Sequence, residues 1–121
     1  MINKLSEVAH QNAINKGFFE TEPNLGQMLC LIHAEVSEAL EADREGKYVN
    51  SKITNILEIP GDEAFTMAFK LHVKDSFEDE LADVMIRVLD LAGFKKIDLE
   101  SHILAKMRYN ATRPHKHGKK Y

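Results

Sequence analysis

Along most of the chain, apolar residues recur every three or four positions, and Gly, Pro and Asn punctuate the intervals, a helical pattern throughout. Residues 2–16 carry Ile2, Leu5, Val8, Ala9 and Ala13 at helical spacing, with Gly17 as a natural stop. "FFETEPN" reads as a loop, because Pro23 disfavours helix at Glu22. A long helix is predicted from Asn24 to Glu45, ending at Gly46, with Leu25, Met28, Leu29, Ile32, Val36, Ala39 and Leu40 as its apolar positions. Residues 47–61 have β-branched residues and then Pro60-Gly61, so a short helix, an irregular segment and a strand all fit. "DEAFTMAFKLHV" predicts a helix with Phe65, Phe69 and either His72 or Val73 on one face, and Asp62 as N-cap. Ser76 is placed to cap the following helix, with Asp79 in the capping-box position and Gly93 closing it. "DLESHILAKMRYNATR" gives the last helix, with Asp98 near its start and Pro114 and Gly118 beyond it. The expected fold class is therefore all-α and four-helix-bundle-like, with a short helix or irregular insert in the middle. One domain is expected over residues 1–113, followed by a basic tail at 114–121.

The segment "FEDELADVMIRVLDLAGF" departs from simple amphipathicity. It is apolar on nearly every side, yet Glu80, Asp83, Arg87 and Asp90 fall within one narrow arc of the helix. A helix this apolar needs cover all round, and a chain of 121 residues has little to spare, so a homodimer or homotetramer is expected. As a plain solvent-facing stripe, the arc would carry an Asp83–Arg87 i,i+4 pair worth a few tenths of a kcal/mol. A second feature favours a different explanation. "LIHAEVSEALEADREG" sets Glu35 and Glu38 at i,i+3 in another apolar helix, with Glu41 continuing the face. Two facing helices with such pairs would gather four carboxylates, which repel and raise one another's pKa unless a cation intervenes. Carboxylate oxygen suits Mg²⁺ or Mn²⁺, and Mg²⁺ keeps positions open for water and substrate phosphates, so a phosphate compound is the expected substrate. A di-iron centre needs Glu-x-x-His from two helices. The chain offers that pattern once, at Glu7–His10, which reads as a pair of surface residues.

Composition narrows the remaining classes. Charged residues make up 29% and hydrophobic residues 44%, the balance of a globular protein. No apolar run is long enough to cross a bilayer and the first residues lack an apolar signal segment, so no membrane association is expected. The lone Cys30 excludes an internal disulfide, suits a cytoplasmic setting and, lying in "LCLI", is expected to be buried. Of the 16 Lys and Arg, six lie from Lys106 onward, where there is no acid, leaving ten against all 19 Asp and Glu in the preceding residues. An acidic body with so few bases argues against nucleic acid as a partner.

The two halves "AEVSEALE" and "EDELADVMIRVLD" together resemble the MazG-like all-α nucleoside triphosphate pyrophosphohydrolases, whose motif is Glu-Glu-x-x-Glu, a spacer, then Glu-x-x-Asp. The second and third Glu of the first half fall on Glu35 and Glu38, and the second half falls on Glu80 and Asp83. The ending "KMRYNATRPHKHGKKY" is also similar to the tail of a MazG-like subgroup. Two departures accompany the match: Ala34 stands at the first Glu, and residues 47–76 lengthen the spacer. The resemblance implies cleavage of a (d)NTP between its α and β phosphates, giving the monophosphate and pyrophosphate. It implies a metal site at Glu35, Glu38, Glu80 and Asp83, with Glu35 or Glu38 as the base. It also implies Lys106 and Asn110 as phosphate contacts, with Arg113 and Lys119 able to close over the triphosphate. Phe18, after a helix stop, is the candidate for stacking on a nucleobase, although an aromatic pair such as Phe18-Phe19 is more often core. His33 is expected to be a packed core histidine. Hydrolases specialised for dUTP, dCTP or phosphoribosyl-ATP are the narrower alternatives, and a non-catalytic metal- and nucleotide-binding helical oligomer is the alternative from another class.

Overall fold

Helix periodicity governs the whole chain. The computed structural model describes residues 1–121 and contains six α-helices and no strand, so the fold class is all-α. In chain order these are α1 (Ile2–Asn15), α2 (Leu25–Arg44), α3 (Ile53–Leu57), α4 (Asp62–His72), α5 (Phe77–Phe94) and α6 (Leu99–Ala111), followed by a short turn at His115–Gly118. The uncertain segment 47–61 resolves as α3 flanked by irregular chain. The contacts divide into two units: residues 1–20 with 89–121, and residues 21–88, the boundary falling inside α5.

In the first unit, α1 packs on α6. Asp98 caps α6 by accepting from the Ser101 N–H at 3.1 Å, and Asn3 donates to the same carboxylate at 2.7 Å. These bonds hold the Asp98 carboxyl down at about 2. Ser6 is buried and donates to the Leu89 carbonyl at 2.6 Å. The approach is close because Gly93 has no side chain: a β-carbon there would lie 2.7 Å from His10 Cβ and 2.9 Å from the Ser6 carbonyl. Gly93 thus lies within α5 and does not end it, contrary to the sequence expectation. The left-handed residue that ends α5 is Lys96, at φ 54°. Around it Ile97 N–H donates to the Ala92 carbonyl and Lys96 N–H to the Gly93 carbonyl, the paired bonds of a Schellman motif. Gly17 and Gly46, at φ 86° and 69°, end α1 and α2 in the same way, as their position in the sequence implied.

In the second unit, α3 packs on α4 and contributes the buried Ile56, with Val73 buried just beyond α4. Asn24 caps α2 through the Gln27 N–H at 3.0 Å. Two corrections concern caps. Asp62 is the first helical residue of α4, and the N-cap is Gly61 at φ 83°. Ser76 does accept from the Asp79 N–H at 3.2 Å, but Asp79 reaches back to the Asp75 N–H at 2.9 Å instead of closing a box on Ser76. The start of α5 is further tied to residues 47–49: Phe77 N–H donates to the Lys47 carbonyl at 2.8 Å, and Val49 N–H to Glu78 at 3.0 Å.

The rotation of α2 explains two further departures. Met28, Ile32, Glu35, Ala39 and Ala42, at spacings of four and three, form its sheltered row. Leu25, Leu29, Val36 and Leu40 form an outward row. Both Cys30 and His33 fall on outward positions and are exposed, not buried. The run "LCLI" is apolar because it serves both rows.

Candidate metal centre

The two carboxylate pairs meet in the second unit. A three-residue step on a helix turns the side chain through about 300°, so Glu35 and Glu38 of α2 remain neighbours, as do Glu80 and Asp83 of α5. Carboxylate oxygens of Glu35, Glu38 and Glu80 all lie within 4.8 Å of one another. Glu35 and Glu80 are buried, at 9% and 7% exposure, whereas Glu38 is open to solvent. Asp83, one turn beyond Glu80, is half-buried and lines the same cleft as Glu38 and Glu80. The charge arc of α5 is therefore its inward side. Its outward side is apolar, with Leu81, Met85 and Ile86 exposed.

Electrostatics follow from that crowding. Burial pushes the Glu80 carboxyl up to about 7, helped by the charge of Glu38, a hydrogen bond with Glu38, and the charges of Asp83 and Asp79. Asp83 is raised as well, first by burial and then by Asp79 and Glu35, with Arg87 pulling the other way. Arg87 does not form the i,i+4 pair with Asp83 that a solvent stripe predicts. Its Nε donates to Glu35 Oε1 at 2.5 Å, which neutralises one carboxylate of the group from the side. The other three retain their mutual repulsion. A hard divalent cation would relieve it, and an all-oxygen donor set with exposed Glu38 at its mouth fits Mg²⁺ or Mn²⁺. The crowding that raises Glu80 and Asp83, with Arg87 engaged by Glu35, is the chemistry on which that fit rests.

The cleft extends beyond the carboxylates. It has a volume of ≈ 440 Å³, and Glu38, Glu80, Asp83, Asp79 and Asp75 are its acidic lining. Phe65, Thr66, Phe69, Lys70 and Lys74, all from α4 and its end, complete the lining. The sequence pattern placed Phe65 and Phe69 on one helix face and assigned that face no part in a site. The available signal was a second row, Thr66, Lys70 and Lys74, adjoining the aromatic row at the same four-residue interval. Asp75, Asp79 and Glu80 form a second close carboxylate trio at the cleft edge. Asp75 is paired there with Lys74 at 2.9 Å, and Asp79 is engaged with the Asp75 N–H.

The remaining candidates belong to the first unit. Lys106 Nζ lies 5.0 Å from the centroid of the Tyr109 ring, and the Arg113 guanidinium 5.6 Å from the same ring, so both cations lie against one aromatic side chain. Arg113 also donates to the His117 carbonyl at 3.5 Å. Asn110, one turn from Lys106, has its Oδ1 buried without a hydrogen-bond partner. Lys119 is exposed beyond the terminal turn. The aromatic pair divides: Phe18 is 73% exposed, while Phe19 packs 5.3 Å from Phe94 and edge-on to His10 at 4.6 Å. His10 is thereby corrected from a surface residue to a half-buried one, with Nδ1 2.9 Å from Asp90. Phe19 and Phe94 shelter that pair, a burial that spacing within α1 alone does not reveal.

No protein-family model, curated protein or solved structure matches the chain.

Proposed function

We propose that this protein is a divalent-cation-dependent hydrolase that cleaves (d)NTPs to the monophosphate and pyrophosphate, a nucleotide-pool housekeeping activity in the cytoplasm. The observation that carries the reading is the convergence of Glu35, Glu38 and Glu80, with Glu38, Glu80 and Asp83 lining a cleft open to solvent. Glu35, Glu38, Glu80 and Asp83 would hold Mg²⁺ or Mn²⁺. When bound, such an ion supplies charge neutralisation at phosphate oxygens and acidifies water.

The chain's own groups do the rest. Arg87 fixes the Glu35 carboxylate, so that its orientation is set before substrate arrives. Glu38, exposed at the mouth, is free to orient a water and take its proton as that water attacks phosphorus in line with the leaving pyrophosphate. Burial of Glu80 keeps the inner wall partly dry and strengthens electrostatic interaction there. Lys106, Asn110, Arg113 and Lys119 are retained as candidate phosphate contacts and Phe18 as a candidate base contact, on the strength of the motif resemblance. The unpaired Asn110 Oδ1 and the exposed Phe18 ring are compatible with those roles. A homodimer or homotetramer is part of the proposal. Its support is the outward apolar row Leu25, Leu29, Val36 and Leu40 on α2, together with Leu81, Met85 and Ile86 on α5.

A panel of (d)NTPs incubated with Mg²⁺ and assayed for pyrophosphate and orthophosphate tests the reading. Pyrophosphate production that disappears in Glu38→Gln and in Asp83→Asn is the expected result. Orthophosphate as the product would refute α–β cleavage. Base preference in the same panel separates a general enzyme from one restricted to dUTP, dCTP or phosphoribosyl-ATP. One observation favours a second reading, a metal- and nucleotide-binding module without turnover. Ala34 replaces one motif acid and Arg87 occupies Glu35, which leaves fewer free carboxylates than a full motif offers. Nucleotide binding without product would establish it.

A further inference from the structure

The carboxylate cleft has a second wall, and it comes from the segment that lengthens the spacer of the motif. Two parallel rows of α4 line it. Phe65 and Phe69 form one row, their ring centroids 5.9 Å apart and tilted by 40°. Thr66 and Lys70 form the other, continued by Lys74 just after the helix. Both rings are half-buried, so each presents part of its surface to the cleft. Lys74 is held by Asp75 at 2.9 Å, whereas Lys70 stands exposed on the same side. An apolar aromatic strip, a hydroxyl and a cation thus share a cleft of ≈ 440 Å³ with the carboxylates. A simple anion has no use for the rings, and a free cation none for the lysine. A molecule that carries a planar apolar ring at one end and phosphates at the other would satisfy all three surfaces, provided a divalent ion held by the carboxylates offset the charge of its phosphates.

We infer that α4 is the substrate-selecting wall of this cleft: Phe65 and Phe69 receive the base of a nucleotide, and Lys70 contacts a phosphate that the carboxylate-bound ion leaves uncovered. The inference rests on the metal-dependent nucleotide reading above, and within it assigns the base to Phe65 and Phe69 in place of Phe18 and one phosphate contact to Lys70. Thr66, beside the rings, is positioned to hydrogen-bond the edge of the base. The inserted segment therefore does more than join two halves of a motif.

The test uses the full chain and three probes: Mn²⁺ alone, inorganic pyrophosphate with Mn²⁺, and α,β-methylene analogues of dATP and dUTP with Mn²⁺. Binding is measured by calorimetry, and free Mn²⁺ by its electron-spin resonance. Phe65→Leu and Phe69→Leu keep an apolar side chain and are expected to weaken at least one analogue by about 10-fold, leaving pyrophosphate unchanged. Lys70→Gln, at an exposed position where folding is not at stake, is expected to weaken analogues and pyrophosphate alike by about 10-fold. None of the three should alter Mn²⁺ binding alone. Wild-type affinities for all probes in all three variants would overturn the inference and leave the carboxylate reading intact. Equal weakening of pyrophosphate and analogues by the Phe variants would also overturn the role given to the rings. Absence of Mn²⁺ binding in the wild type, or Mn²⁺ binding unchanged in Glu80→Gln, would overturn the metal centre itself and this inference with it.

Discussion

Replacing Glu80 by Gln keeps the size of the side chain and removes only its charge. Glu80 is 7% exposed, and its carboxyl stands at about 7 in the folded protein against an ordinary 4.5. The folded state therefore holds a proton that the unfolded chain has already released. Stability from this group is fully present below the unfolded value and is lost as pH rises through about 7. The full shift corresponds to about 3 kcal/mol, and water in the open cleft reduces it, so about 1–3 kcal/mol is the working range. The metal-free Gln variant has no such loss. At pH 8 in a chelator it should melt above the wild type, by about 3–5 °C for each kcal/mol in a domain of this size. At pH 5, where the wild-type carboxyl is protonated in the folded state, most of the gap should close. Added Mn²⁺ should reverse the order at pH 8, because at a hundredfold excess over Kd a ligand stabilises by about 2.7 kcal/mol. The variant has lost a ligand for that gain. Scanning calorimetry at pH 5 and 8, with chelator and with Mn²⁺, reads all four conditions. A variant that melts equally below the wild type at both pH values in chelator would refute the reasoning, since Glu80 would then be a stabilising anion instead of a crowded one.

Other perturbations test separate parts of the structure. Arg87→Met strands the buried Glu35 carboxylate and should cost about 1–3 kcal/mol in chelator, with part of the deficit recovered on adding Mn²⁺; an unchanged melting temperature would mean the ion pair carries no weight. Gly93→Ala gains up to about 1 kcal/mol of helix propensity, yet its β-carbon would meet His10 Cβ at 2.7 Å and the Ser6 carbonyl at 2.9 Å. Overpacking should win, with a net loss of about 1–3 kcal/mol, and a higher melting temperature would contradict the close approach. The Asp98 carboxyl is held at about 2 by bonds from Asn3 and Ser101, so its stabilisation is present above pH 4 and lost as pH falls through that value. Asp98→Asn should flatten the acid limb of the stability–pH profile between roughly pH 4 and 2, and an unaltered limb would count against the capping network.

Local signals determined most of the architecture. Caps at Asn24, Ser76 and Asp98 and stops at Gly17 and Gly46 act within a few residues of themselves, so helix identity and most boundaries were legible in sequence. The i,i+3 spacing of Glu35–Glu38 and Glu80–Asp83 likewise fixes each pair on one face of its helix, whatever surrounds it. What spacing leaves open is which face turns inward, and tertiary packing alone decided that. It directed Glu80 and Asp83 of the α5 charge arc into the cleft and left Leu81, Met85 and Ile86 outside. It turned Cys30 and His33 outward on α2, because that helix is apolar on two rows and its sequence favours neither. Gly93 looked like a terminator because glycine serves two purposes, and only the approach of Ser6 and His10 shows that its missing side chain is what matters. The partnership of Arg87 with Glu35 instead of Asp83 joins residues 52 positions apart, and the cleft brings α4 together with Glu38 of α2. Such contacts are products of the folded chain, since no local preference of either partner encodes the other's position.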